Sequence, residues 1–369
     1  MRIGRRNFPW AAVVLTWALA AAGCAPEVNP KQPGSEAQTL NDVTQLTSGF
    51  ARAGEAYFSP DMRWIVFQAT PKGEENYQMY VGRLKWQEGG AARLEKVVRI
   101  SPEKSRNTCA YFSPEGGSMI FASTAGKEDP TEKSSGYQRE GGSYRWAFPA
   151  GMEIYRADGW EPAVAAADPS RGTNLAQHAL TDNHAYDAEC AYSPDGKWIV
   201  FASNRTGDLE LFAMRAGGTD TVQLTSKSGY DGGPFFSPEG KRVVYRSDRA
   251  GNDLLQIFVA DVVFDQSGKI VGLKNERQLT KDQNVNWGPY WHPDGKHIIY
   301  ATSAHGHTNY ELYLMRADGT RKTRITFKDG FDGLPAFSPD GNWLMWSSKR
   351  SADGTTQVFL GRFVFPDGS

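Results

Sequence analysis

The stretch of sequence that decides the fold is SPDGKWIVFASNRTGDLELF, residues 193–212, followed by VQLT at residues 222–225. The Pro-Asp-Gly segment predicts a tight turn, because Pro presets φ and Gly accepts a positive φ. The apolar run that follows it, residues 198–201, predicts a strand buried on both faces. With a strand before the turn, one through Glu-Leu-Phe and one ending at Leu-Thr, the unit is predicted to have four strands.

This unit recurs six times along the chain. A Pro, in five of the six copies preceded by Ser and in one by His, marks the turn at Pro60, Pro114, Pro194, Pro238, Pro293 and Pro339. Thirteen residues before each Pro stands a Thr or Ser that follows Leu or Ile, as at Leu46-Thr47 and Leu224-Thr225. Six four-stranded units stacked face to face in a circle predict an all-β, six-bladed β-propeller.

The two ends of the repeat region indicate how the ring closes. The first Leu-Thr precedes any first strand, and the last unit ends after its third strand, near Phe363. We therefore expect the N-terminal strand to complete the last blade, within one propeller domain that spans residues 43–369. The composition agrees, since 39 Gly and 45 aromatic residues suit tight turns and packed sheets.

The repeat resembles that of the TolB family of six-bladed propellers, through residues 193–225 and again from His292-Pro-Asp-Gly to Ile325-Thr326. The resemblance covers the propeller alone, without the α/β domain that precedes it in TolB. TolB docks onto a peptidoglycan-associated lipoprotein, so the resemblance implies binding without chemistry. Prolyl-oligopeptidase-type enzymes use similar repeats, but the Gly-x-Ser-x-Gly motif of their hydrolase domain does not occur in this sequence.

Residues 1–23 have the features of a bacterial export signal. Three arginines precede an apolar run that ends in Ala-Ala-Ala-Gly before Cys24, which resembles the lipobox of lipoproteins. We expect Cys24 to carry a lipid anchor, the alternatives being an unlipidated cleavage or an uncleaved anchor. Arg5-Arg6-Asn7-Phe8 is compatible with a twin-arginine signal or an ordinary basic region. Residues 24–42 contain Pro26, Pro30 and Pro33 and predict a flexible tether.

The charge argues against nucleic acid as a partner. The net charge of −1 becomes −4 when residues 1–23 are removed, because that segment holds three arginines and no acid. We expect a monomeric lipoprotein of the bacterial cell envelope, attached to the outer membrane and facing the periplasm, where Ala25 after the cysteine resembles the outer-membrane pattern.

A set of polar residues precedes five of the six repeat prolines by seven positions, where the inner strands would begin around the mouth of the channel. The set comprises Asn107, Asp187, Asp231, Asn286 and Asp332, with Ala53 in the sixth place. As a ring, these residues would attract a basic peptide or a cation. Each could instead form a local Asx-turn that satisfies backbone donors.

An insertion of about 25 residues, 126–150, lies between the second and third strands of blade 2. It holds four aromatic residues among glycines, and these are candidates for contact with a partner: Tyr137, Tyr144, Trp146 and Phe148. The alternative is that the loop folds back and buries them against its own blade.

Two smaller features concern metal and disulfide chemistry. His305-Gly-His307 lies on a loop of blade 5, but no acid or Cys cluster accompanies it, so we predict neither a metal site nor a cofactor. Cys109 and Cys190 would lie on neighbouring inner strands. A disulfide between them is conceivable in an oxidising compartment, although adjacent inner strands are often too far apart.

These features together predict a lipid-anchored, non-catalytic scaffold that binds an envelope protein or a basic peptide at its loop-rich face. Two alternatives remain open. One is a propeller that binds a small ligand or a glycan, and the other is an enzyme that acts at the channel mouth.

Overall fold

The computed structural model describes residues 34–367, with the exception of residue 89, residues 126–135 and residues 141–142. Six four-stranded antiparallel sheets follow one another around a central channel, which confirms the predicted all-β six-bladed propeller. The predicted signal at residues 1–23 and Cys24 lie outside the described residues.

The strands of each blade are named here in their order from the channel to the outside of the ring. Those of blades 1 to 3 are β2 (Phe50–Phe58), β3 (Trp64–Pro71), β4 (Gln78–Trp86) and β5 (Ala92–Arg99); β6 (Asn107–Phe112), β7 (Ser118–Ser123), β10 (Glu153–Asp158) and β11 (His178–Ala179); and β12 (Asp187–Tyr192), β13 (Trp198–Ser203), β14 (Glu210–Arg215) and β15 (Val222–Gln223). Those of blades 4 to 6 are β16 (Asp231–Phe236), β17 (Arg242–Ser247), β18 (Gln256–Phe264) and β19 (Ile270–Gln278); β20 (Asn286–Trp291), β21 (His297–Thr302), β22 (Glu311–Arg316) and β23 (Thr323–Arg324); and β24 (Asp332–Phe337), β25 (Trp343–Ser348), β26 (Gln357–Phe363) and β1 (Leu40–Gln45).

The ring closes as the repeat register predicts. The N-terminal strand β1 pairs antiparallel with β26, with Leu40 opposite Phe363 and Gln45 opposite Phe359, and so forms the outermost strand of blade 6. A 3₁₀ helix, Glu36–Gln38, precedes it. Part of the segment assigned to the tether, residues 36–42, therefore belongs to this helix and to β1.

The repeated Ser-Pro-Asp-Gly turn is stabilised by its own side chains. In blade 3, the Ser193 hydroxyl donates to Asp195 Oδ1 over 2.7 Å and accepts from the backbone N–H of Trp198 over 2.9 Å. Gly196 has a φ of 69°, which a residue with a Cβ rarely adopts. The strand that leaves the turn, β13, is buried along its whole length, as its apolar sequence predicts.

Blade 2 carries two additions on opposite faces of the ring. A hairpin of β8 (Gly136–Glu140) and β9 (Ser143–Ala147) lies between β7 and β10, on the face where the inner strands begin, which we call the loop-rich face. A helix, α1 (Trp160–Ala166), follows β10 on the face of the Pro-Asp-Gly turns, where Trp160 packs edge-on against Trp64. The sequence predicts the first addition, whereas the helix has no signal in the repeat pattern.

Each inner strand contains a bulge five positions before the repeat Pro, at the sixth residue of β2 and at the third residue of the other five inner strands. All six residues have φ between 45° and 58°, in the left-handed region, and they are Glu55, Cys109, Glu189, Gly233, Gly288 and Leu334. The pairing register with the second strand shifts at this point in every blade. A bulge redirects the side chain of a strand residue, and here all six residues line the channel.

Candidate functional site

The five polar residues predicted to form a ring are the first residues of their inner strands, and they are not exposed. Each has 2% or less of its surface accessible to solvent: Asn107, Asp187, Asp231, Asn286 and Asp332. Ala53, in the sixth place, is also buried. The expected negative ring around the channel mouth therefore does not form.

The three aspartates are paired within their own blades. Asp187 lies 2.7 Å from Arg205, Asp231 lies 3.1 Å from Arg249, and Asp332 lies 2.8 Å from Arg350. Each arginine also lies over the two aromatic rings of its second and third strands, at centroid distances between 4.4 and 5.8 Å. Burial raises the pKa of Asp231 and of Asp332, and the arginines oppose that shift.

The two asparagines occupy the same position in blades that lack the arginine. The arginine stands 18 residues after the aspartate in blades 3, 4 and 6, whereas Ala125 and Ala304 stand there in blades 2 and 5. Asn107 accepts from the Ser123 hydroxyl over 2.7 Å and donates to the Tyr77 carbonyl over 3.0 Å. The set is therefore structural, with a charged form where an arginine is present and a neutral form where it is absent.

The two cysteines of the inner strands are both buried and free, so the disulfide considered from the sequence is not present. Cys190 Sγ lies 3.4 Å from the carbonyl oxygen of Cys109. Burial raises the pKa of both thiols, which keeps them protonated and unreactive at neutral pH.

The inserted segment contributes to the channel mouth as well as to the loop-rich face. Tyr137 pairs with Trp146 across the β8–β9 hairpin, and Tyr144 lies opposite Arg139. Phe148, which follows the hairpin, packs against Tyr186 at 4.9 Å and Tyr230 at 5.5 Å between ring centroids. Phe148 is therefore directed into the fold.

His305 and His307, on the loop between the second and third strands of blade 5, have different surroundings. His305 stacks on Tyr313 and forms a 2.8 Å hydrogen bond with its hydroxyl, whereas His307 lies beside the channel mouth. Among the residues that the structure describes, no group of three or more His, Cys, Asp or Glu is placed to hold a metal ion.

A cavity of about 200 Å³ occupies the channel at the level of the bulges, and we call it the channel chamber. The six bulge residues line it, together with Arg246 and the rings of Phe148, Tyr186 and Trp287. Below the bulges, a group of aromatic rings closes the channel: Tyr57, Tyr111, Phe235 and Tyr290. The hydroxyls of Tyr111 and Tyr290 lie 3.0 Å apart. The chamber therefore opens towards the loop-rich face.

One side of the chamber holds a buried ion pair. The Arg246 guanidinium donates to Glu189 Oε2 over 3.0 Å and also to the Tyr230 hydroxyl. The Tyr230 hydroxyl in turn donates to Glu189 Oε1 over 2.9 Å. Gly233 leaves the space for this arrangement, since a Cβ there would collide with Arg246 Nη1.

The other side of the chamber holds a carboxylate without such a partner. Glu55 accepts a 3.5 Å hydrogen bond from the Tyr57 hydroxyl, and the Cys109 thiol is also in contact with it. Burial raises the pKa of Glu55, the nearby charge of Glu189 adds to that shift, and Arg246 opposes it. No basic side chain in the described part of the chain forms an ion pair with Glu55.

A second cavity of about 340 Å³ adjoins the chamber on the loop-rich face, between blades 1, 5 and 6, and we call it the mouth groove. Four aromatic side chains and two basic ones line it: Tyr77, Trp287, Tyr310, Phe331, Arg52 and His307. The indole Nε1 of Trp287 is buried and has no hydrogen-bond partner in the part of the chain that the structure describes. An aromatic groove with few polar groups is typical of a binding site.

Glu55, Glu189, Arg246 and the mouth groove were not found from the sequence. For Glu55 and Glu189 the signal lies in the position five residues before each repeat Pro, which varies between blades while the surrounding pattern is constant. A residue that lines the channel has no characteristic hydrophobic pattern in the sequence. This position can therefore be recognised as channel-lining only once the bulge is known.

Comparison with known proteins agrees with the geometry. The sequence model described as the TolB beta propeller domain matches residues 173–274 and 269–363. A protein TolB homolog from Chlorobium luteolum is 33% identical over 217 residues, which are 57% of this chain and 44% of the relative. A second, from Chlorobium chlorochromatii, is 35% identical over 49% of this chain and 38% of the relative. The chain thus spans less than half the length of these curated relatives.

Among solved structures, the putative TolB from Agrobacterium tumefaciens superposes with a TM-score of 0.51 at 18% identity, covering 85% of this chain and 91% of that one. At this identity the similarity concerns the fold alone. In the described ranges, no helix has the length and apolar character needed to cross a membrane.

Proposed function

Because the chain belongs to the TolB beta propeller domain family, we propose that it is a lipid-anchored, non-catalytic scaffold of the bacterial cell envelope that binds another protein at its loop-rich face. The observation that carries this proposal is the mouth groove, where four aromatic side chains line a cavity on the loop-rich face, the face from which the inserted hairpin also emerges. Aromatic side chains at a concave surface supply much of the binding energy in protein interfaces.

The relatives support an envelope partner. Several proteins that match part of this chain, among them one from Francisella tularensis subsp. mediasiatica at 27% identity over 22% of the chain, are named Tol-Pal system protein TolB. We propose a partner of the same general class, an envelope protein that docks on the loop-rich face. The predicted anchor at Cys24 would hold the propeller at the outer membrane on its periplasmic side.

Removal of the inserted hairpin tests the binding surface. A variant that lacks residues 127–146 retains Phe148, whose ring packs in the channel mouth, so we expect its thermal unfolding midpoint to stay within a few degrees of the native value. We expect capture of the envelope partner to fall about tenfold or more, because the loop-rich face loses the three aromatic residues Tyr137, Tyr144 and Trp146.

The matched control is Phe264→Ser, which alters an exposed aromatic residue at the opposite end of blade 4. If the hairpin-deletion variant captures the partner as well as the native chain does, the hairpin is not part of the binding surface. The same conclusion follows if Phe264→Ser loses as much partner capture as the deletion.

The anchor is tested by Cys24→Ser, which removes the thiol that would accept the lipid. We expect this variant to move from the membrane fraction to the soluble periplasmic fraction, whereas Ala25→Ser, which keeps the cysteine, remains in the membrane fraction. Continued membrane fractionation of Cys24→Ser would exclude the lipid anchor.

A further inference from the structure

We infer that the channel chamber binds one guanidinium or ammonium group, with the Glu55 carboxylate as its charge partner and the surrounding aromatic rings as its walls. The inference does not depend on the proposed protein-binding role, because a free amine has the chemistry needed to occupy the chamber without a protein partner.

The described lining of the chamber has one more acidic than basic side chain. Among the residues that the structure describes, the lining contains two acids, Glu55 and Glu189, and one base, Arg246. The Arg246 guanidinium is already paired with Glu189 at 3.0 Å and bonded to the Tyr230 hydroxyl. The chamber therefore carries a formal charge of −1 when both carboxyls are ionised, and that charge resides on Glu55.

Glu55 differs in this respect from the buried aspartates of the inner strands. Asp187, Asp231 and Asp332 each have an arginine within 3.1 Å, supplied by the same blade. Within the described residues, Glu55 has a long hydrogen bond from Tyr57 and the contact with the Cys109 thiol, and Arg246 attracts it without forming an ion pair. Partial removal of a carboxylate from water without a cation is costly, so a cationic ligand beside Glu55 would recover part of that free energy.

The walls suit a cation with an apolar stem. The rings of Tyr77, Phe148, Tyr186 and Trp287 line the chamber, and aromatic faces attract guanidinium and ammonium groups. The same chemistry is present within the protein at the chamber's edge, where the Arg52 guanidinium lies 4.1 Å from the centre of the Tyr77 ring. A cation in this position pairs with Glu55 and contacts aromatic rings at once.

The space and the entry path also fit a single group on a narrow stem. Two bulge residues, Gly233 and Gly288, have no side chain, and the chamber volume is about 200 Å³. The chamber and the mouth groove share lining residues, including Gln68, Tyr77 and Trp287, so the two cavities adjoin. Since aromatic rings close the channel below, the group enters from the loop-rich face.

Calorimetric titration of the full chain with agmatine and with n-butylammonium tests this site, with n-butanol as the uncharged probe of the same shape. We expect saturable binding of both cations at dissociation constants on the order of millimolar or tighter. Glu55→Gln removes the charge and keeps the shape, so it should weaken binding about tenfold or more. Glu75→Gln makes the same charge change on an exposed loop at the same face and should bind as the native chain does.

Several results would overturn the inference: no saturable binding, equal binding of n-butanol, or equal binding by Glu55→Gln. Should that variant fail to fold, a crystal structure of the native chain with agmatine decides the matter. The inference requires the guanidinium within hydrogen-bond distance of the Glu55 carboxylate, and a guanidinium found elsewhere, or none, contradicts it.

A capped Gly-Arg-Gly peptide distinguishes the sources of the cation. If the peptide binds as well as agmatine, a side chain of a partner protein can reach Glu55, whereas binding of agmatine alone assigns the site to free amines. Loss of partner capture in the hairpin deletion bears on the proposed function only, so each proposal can fail without the other.

Discussion

Blades 3, 4 and 6 begin their inner strands with Asp, whereas blades 2 and 5 begin them with Asn at the same place in the fold. All five side chains are buried. The difference follows a second position, 18 residues later, which holds Arg where the strand begins with Asp and Ala where it begins with Asn. The first residue of the inner strand is therefore charged where its own blade supplies an arginine and neutral where it does not. Its charge follows from the partner within the blade, and not from a ligand of the channel.

The largest effect is expected when the arginine is removed from a blade whose inner strand begins with Asp. Arg205→Ala leaves the fully buried Asp187 without its cation and removes the stacking over Phe201 and Phe212. We expect a loss of about 2–4 kcal/mol in the free energy of unfolding, measured by denaturant titration.

The double variant Asp187→Asn/Arg205→Ala converts blade 3 to the pattern of blades 2 and 5. It should recover more than half of that loss, because Asn is neutral and its equivalent Asn107 is satisfied by the Ser123 hydroxyl at the end of the second strand. If the double variant is no more stable than Arg205→Ala, the pairing rule between the two positions is wrong.

A smaller effect concerns the third strand, which begins with Glu in three blades and with Gln in the other three. In blade 3 the Thr225 hydroxyl donates to Glu210 over 2.5 Å, and in blade 6 the Thr47 hydroxyl donates to Gln357 over 2.8 Å. Burial raises the pKa of Glu210 to about 7. The folded chain therefore favours the neutral carboxyl.

The pH dependence of the Tm of Glu210→Gln tests whether the Glu210 carboxyl is neutral in the folded chain. The stability that neutral Glu210 contributes is complete below its unfolded pKa of 4.5 and is lost as the pH rises through about 7. Since Gln cannot ionise, the variant should gain stability relative to the native chain between pH 5 and pH 8, by a few degrees in Tm. A constant difference in Tm at the two pH values would contradict the raised pKa.

The sequence was sufficient for the architecture because its signals are periodic. The repeat Pro, the Leu-Thr pairs and the early Leu46-Thr47 determined the blade number and the ring closure, and the structure agrees with both. The helix α1 was missed, because it occurs in one blade only and has no counterpart in the repeat.

The candidate site was harder to predict for two physical reasons. The Asp residues were placed at the correct strand ends, but their burial depends on Arg205, Arg249 and Arg350, which lie one strand further along the chain. Glu55, in contrast, reaches the channel through a bulge with a φ of 45°, a conformation that the sequence pattern does not indicate for Glu.

The most direct measurement of the central claim, that the loop-rich face binds the partner, is photo-crosslinking in cells. A photoreactive amino acid in place of Tyr137 would probe the inserted hairpin, and one in place of Phe264 would probe the exposed tip of blade 4 at the opposite face. The account predicts a discrete crosslinked partner from position 137 and none from position 264. Crosslinking to the same partner from position 264 alone would contradict it.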